Sequence, residues 1–108
     1  MPQVFDRAGG LISLGDKVAW ASKHGSSAQL KLGIVEQIDV VVVPSYSYGG
    51  KQYEILKLKL KARVTKYGWR ASMKPTSYLA RTENSVHREV GTATEANDVR
   101  FWNLEKIG

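Results

Sequence analysis

The 108 residues predict an all-β fold, and within that class a small five-stranded barrel. Three observations carry this expectation. Apolar residues recur at every second position in several separate stretches, no stretch sustains the 3.6-residue period of an amphipathic helix, and a glycine interrupts one alternating stretch where a sheet would have to curl.

The elements follow in chain order. Gly15 and Asp16 make a turn before "KVAWAS", where Val18, Trp20 and Ser22 face one way and Lys17, Ala19 and Ala21 the other, as in a half-buried first strand. "SKHGSSAQ" reads as a hairpin loop around Gly25, and a second strand begins near Gln29. Its apolar positions Leu30, Leu32, Ile34, Ile38, Val40 and Val42 keep period two, broken at Glu36. Gly33 inside this strand marks a bulge or sharp bend. Pro44 is expected to end the strand's hydrogen bonding, leaving "PSYSYGG" as a loop closed by a Gly pair.

The third strand, Lys51 to Tyr67, is the clearest element. Leu56, Leu58, Leu60, Ala62 and Val64 form one face, and Lys57, Lys59, Lys61, Arg63 and Thr65 the other. At about 3.3 Å per residue it would be about 50 Å long if straight, so it must bend or protrude. "SYLAR" supplies a short fourth strand after Pro75. The polar stretch 82–98 reads as an irregular excursion with a single helical turn around Val86 to Val90, and "VRFWNLEKI" as a closing strand that returns to the first. Five strands, a long bent hairpin between the second and third, and a last strand beside the first describe an SH3-like barrel, whose closure removes exposed edges. Trp20, Phe101 and Trp102 are expected in its core.

Length and composition predict one domain over residues 1–108, with 43% hydrophobic and 24% charged residues. The absence of cysteine excludes disulfides, thiolate zinc sites and cysteine nucleophiles, and suits a reducing compartment. "MPQVFDRAGG" has neither the basic nor the apolar region of a signal peptide, and the longest apolar run, Val40 to Val43, is far short of a bilayer span. A cytoplasmic protein is expected.

The net charge of +6 is unevenly placed. Lys51 to Lys74 holds eight basic residues against Glu54 alone, so the whole excess belongs to that stretch. Such asymmetry points to an anionic partner. Cations two apart on a strand lie about 6.6 Å apart on one face, within reach of successive phosphates. "KYGWR" follows, interleaving Lys66 and Arg70 with Tyr67 and Trp69, and an aromatic beside a cationic groove stacks a base.

The expected site is therefore a nucleic-acid-binding face made by Lys57, Lys59, Lys61, Arg63, Lys66, Trp69 and Arg70, reading DNA or RNA backbone with little sequence preference. The plainer reading is a solvated strand face that keeps a greasy strand soluble. The alternative function is a protein-interaction module for an acidic host protein, with Tyr46, Tyr48 and Tyr53 as contact anchors. Enzymatic signals are thin. His24 and His87 sit in no metal-ligand spacing, "GSS" at Gly25 to Ser27 lacks the second Gly of a nucleophile elbow, and the Gly pairs lack the Lys-Ser/Thr of a phosphate loop. No enzyme, cofactor, metal or small-molecule substrate is expected.

"GDKVAWASKHGSSAQLKLGIVEQI", Gly15 to Ile38, resembles the opening of small actinobacteriophage (mycobacteriophage-type) accessory proteins of unknown function. These share Gly-Asp-x-Val-Ala-aromatic-Ala, a Gly-Ser loop and a strand carrying Gly-x-Val. The resemblance implies a phage accessory protein acting in an infected bacterial host, less expectedly a minor virion component, and supplies no catalytic residues. The same stretch is more loosely similar to Tudor-like and KOW-like barrels, which bind nucleic acid or protein; it departs from the KOW pattern in lacking the Gly of that motif's central loop.

Overall fold

The computed structural model describes residues 3–24, 27–69, 72–91 and 99–107. Five strands are present: β1 Lys17–His24, β2 Ser27–Tyr48, β3 Lys51–Trp69, β4 Ser72–Glu89 and β5 Leu104–Ile107. They form one antiparallel sheet in the order β4-β3-β2-β1-β5. β5 lies beside β1 as expected. The ladder does not close: β4 and β5 remain its two edges. Side chains bridge the gap instead, Asn84 Nδ2 donating to the Arg100 carbonyl at 2.6 Å and Asn103 Nδ2 to Thr82 Oγ1 at 3.1 Å.

The third strand has nearly its expected length, whereas the second and fourth are longer than their sequences advertise. β2, β3 and β4 run for 22, 19 and 18 residues and make a protruding ribbon, giving the molecule extents of 53 × 30 × 22 Å. β1 pairs only with Ser27 to Ile34, so the outer half of β2 has β3 on one side alone. That free side explains why Pro44 does not stop the strand, since a missing N–H is tolerated where it faces no neighbour or a bulge, and the register does shift between Pro44 and Tyr46. The expected loop is strand as far as Tyr48, and Gly49 and Gly50, both at positive φ, make the two-residue turn into β3.

The excursion expected over 82–98 is also corrected, because Thr82 to Glu89 continues β4. Polar residues occupy this strand because it is an edge, and its inward Thr82 and Asn84 find hydrogen-bond partners in the segment before β5. No helical turn forms at Val86. Residues 92–98 lie outside the described residues. The expected closing strand shortens to β5 because Phe101 to Asn103 turn over the open end of the sheet, with Arg100 bridged to Phe5.

Gly33 and Glu36 both mark register shifts between β2 and β3, the first with Leu32 and the second between Val35 and Gln37. A side chain at Gly33 would sit 2.8 Å from the Arg63 carbonyl oxygen, so the strands approach too closely there for a Cβ.

The core packs the inward face of β3, Leu56 to Val64, against Val18 and Trp20 of β1, Val35, Leu104, and four residues from the chain ends: Val4, Ile12, Val99 and Phe101. Trp20 and Phe101 are buried as expected, but Trp102 points out, stacked under the Arg100 guanidinium at 4.7 Å. Phe101 takes the inward position, which leaves its neighbour in the following turn to solvent.

Candidate nucleic-acid interface

Strand alternation sets the candidate face. With Leu56, Leu58, Leu60, Ala62 and Val64 buried, Lys57, Lys59, Lys61 and Arg63 stand on the opposite, outer face of the ribbon. The comb is a single row of side chains. What the ladder adds is the identity of each tooth's neighbours.

Lys59 is opposed by Asp39 on β2 and Glu83 on β4. Cross-strand opposite charges contribute about 0.2 to 1 kcal/mol to pairing, so the neighbours of this tooth offset its charge even though none of them pairs with it within 4 Å. Arg63 donates from Nε to Glu36 Oε2 at 3.2 Å and from Nη2 to Oε1 at 3.5 Å, a surface ion pair made by the residue that bulges out of β2. Lys57 lies between Val41 and Ser85, and Lys61 between Gln37 and Arg81. Neither has a carboxylate opposite it. Arg81, on β4, is thus a cation of this face that sequence spacing within one strand had no means of revealing.

Lys66 stays on the same side although it breaks the count. A bulge at Thr65, between the Val64 and Lys66 pairings, turns Tyr67 toward the core and leaves Lys66 outward, beside Leu32 and Pro75. Trp69 falls two positions beyond Tyr67, on the face opposite Lys66, where it is 53% exposed. The ladder therefore separates it from the comb. Arg70 lies outside the described residues.

The aromatic complement of the comb is at its other end. Tyr53 shares the outer parity of Lys57, and across the ladder it meets Tyr46, the two rings stacked with centroids 5.4 Å apart. His87, opposite Ile55 on β4, completes the cluster, its Nδ1 3.3 Å from the Tyr46 hydroxyl. Tyr48, at the hairpin tip, is the most exposed of the three tyrosines at 74%. Two sites that the sequence kept apart, the lysines and the tyrosines, thus occupy one face. About 33 Å separates Tyr53 from Arg63 along the strand. The side chain of His24 lies outside the described residues.

Beside Lys59 and Lys61 lies a cleft of about 460 Å³ bordered also by Asp39, Arg81 and Glu83. A smaller hollow of about 250 Å³ borders Lys66 and Lys17 near the base of the ribbon. Among the described residues no three His, Asp or Glu side chains gather where a metal could be held, and no helix is long and apolar enough to cross a membrane.

Away from this face, one charged residue among the described residues is buried. Asp6 is 3% exposed; its Oδ1 accepts from the Ala8 and Gly10 N–H groups and its Oδ2 from the Lys106 N–H at 2.8 Å. Burial pushes its carboxyl up, but the backbone donors of Lys106, Gly10 and Ala8 and the charge of Arg100 outweigh burial and hold it below the ordinary value. It ties the N-terminal turn to β5, a structural role that nothing in its local sequence signals.

No family model matches this chain, and no curated protein or solved structure matches it.

Proposed function

We propose that the protein is a non-enzymatic module that binds nucleic-acid backbone along the outer face of its three-stranded ribbon, with little sequence preference. One observation carries the reading: Lys57, Lys61 and Arg81 stand on one face with no carboxylate opposite them, in line with the Tyr53–Tyr46 stack. Cations that track a backbone beside aromatic rings that take a base are the two parts of a single-strand binding surface. Lys66 extends the row; Lys59 stands opposite two carboxylates and Arg63 is paired with Glu36, so both contribute less. The strand order supports an SH3-like origin for the sheet. That the protein is a phage accessory factor working in the cytoplasm of an infected bacterium rests on the resemblance of Gly15–Ile38 alone.

Fluorescence anisotropy of labelled single-stranded DNA, duplex DNA and RNA across a salt series tests the reading. With three or four cations releasing counterions, log K should fall against log salt with a slope of about −2 to −3.5. Lys57→Gln and Lys61→Gln should each cost roughly five-fold in affinity at 0.1 M salt, and Lys59→Gln less than two-fold. Absence of binding at low salt, or equal losses at all three positions, removes the support.

A second reading has its own observation. Asp39, Glu36 and Glu83 interleave with the cations, and Val41 and Leu79 on the same face are exposed, a mixture that suits a protein partner better than a polyanion. Tyr46, Tyr48 and Tyr53 would anchor such a partner. Salt-insensitive binding to a host protein, with no polynucleotide binding, is the outcome that favours it.

A further inference from the structure

We propose that the cleft beside Lys61 and Arg81 is a seat for one phosphodiester monoanion, gripped by these two side chains; this rests on the nucleic-acid reading and names its principal contact. Residues directly opposed in an antiparallel pair carry their Cβ atoms about 4.5 to 5.5 Å apart, and like charges so placed destabilise the pairing. Lys61 and Arg81 are so opposed, and among the described residues neither makes an ion pair. On the other flank of Lys61 stands Gln37, whose amide is turned to Asp39 at 2.6 Å. The next row up the ribbon differs in what stands opposite, since Lys59 there, also without an ion pair among the described residues, lies between two carboxylates. The sheet compensates its charge in one row and leaves it uncompensated in the adjacent one.

An anion held between Lys61 and Arg81 converts their repulsion into a bridge. Arg81 offers a planar fork that matches two phosphate oxygens, and Lys61 a compact point charge. The cleft's borders also set the charge it accepts. Three cations, Lys59, Lys61 and Arg81, face two carboxylates, Asp39 and Glu83, an excess of one positive charge. A monoanion balances that excess, whereas a second negative charge on the same phosphorus meets Asp39 and Glu83. The seat therefore prefers the internal phosphodiester of a strand to a terminal phosphomonoester, which carries nearly two charges at pH 8.

The test follows the Arg81 Nε–Hε signal and the Lys61 amide of isotopically labelled protein by NMR at pH 8 and low salt, titrated separately with diethyl phosphate, ethyl phosphate and hexathymidylate. Saturable shifts at both groups are expected, with the diester bound several-fold more tightly than the monoester. Arg81→Gln should abolish the shift at the Lys61 amide. Glu83→Gln should tighten the monoester and erase the preference, which reports on the seat even where the arginine variant folds poorly. Absence of a saturable shift with diethyl phosphate, or tighter binding of the monoester by the unaltered protein, overturns the proposal. If hexathymidylate binds equally well to Arg81→Gln, the seat falls and the nucleic-acid reading stands. If diethyl phosphate saturates the site while no oligonucleotide binds, the seat stands and the nucleic-acid reading falls.

Discussion

Asp6 shows how much one side chain can hold when its environment is complete. Three backbone donors from two ends of the chain converge on its carboxylate, and an amide in its place would turn an NH₂ toward at least one of them. Asp6→Asn should therefore cost about 1 to 3 kcal/mol at neutral pH, read from denaturant midpoints. The pH dependence has a definite sign. The folded carboxyl titrates below its ordinary value of 3.8, so its contribution is present in full above that pH and is lost as pH falls through the lower, folded value. The gap between wild type and Asp6→Asn should narrow on acidification below about pH 4. A gap that stays constant to pH 2 would assign the destabilisation to packing alone.

Among the elements, the β3–β4 hairpin is the most demanding. Gly68 has φ of +136°, and a Cβ there would lie 2.5 Å from the Ser72 carbonyl oxygen. Gly68→Ala meets both a forbidden backbone region and a backbone clash, and should cost about 1 to 3 kcal/mol, a drop of several degrees in Tm by circular dichroism. An unchanged Tm would mean that the two strands are not held in this register. β4 as a whole marks the limit of pattern reading. Its stretch "TENSVHRE" has few apolar residues because an edge strand at the core's rim buries little, so polarity there reads as loop until the facing segment is known. Gly33 and Glu36, by contrast, announce their bulges in sequence, one by lacking a side chain within a strand and the other by interrupting period two.

For the whole molecule, the consequential feature is a ribbon that extends beyond its core. The chain ends supply Val4, Ile12, Val99 and Phe101 to the packed interior, while at the tip the turn Gly49–Gly50 and Tyr48 are exposed. Amide exchange should therefore be slowest at Ala62 and Val64 and quicken toward the tip, since local opening follows buried contact. Uniform protection along β3 would mean that the ribbon opens only with the core.

The sequence by itself determined the all-β class, the long third strand, the two faces of that strand and the concentration of positive charge on one of them. These are legible because side-chain alternation is a local property of an extended chain, written within ten consecutive residues. Only the tertiary structure decided what stands beside each cation: carboxylates at Lys59, Glu36 at Arg63, a second cation at Lys61, and a tyrosine stack rather than Trp69 in line with the row. Register between strands joins residues well separated in the chain, as Lys59 is from Glu83 and Lys61 from Arg81, and it shifts at every bulge. A comb of four equal teeth in sequence becomes, in the folded sheet, two teeth with carboxylates beside them and two with none opposite.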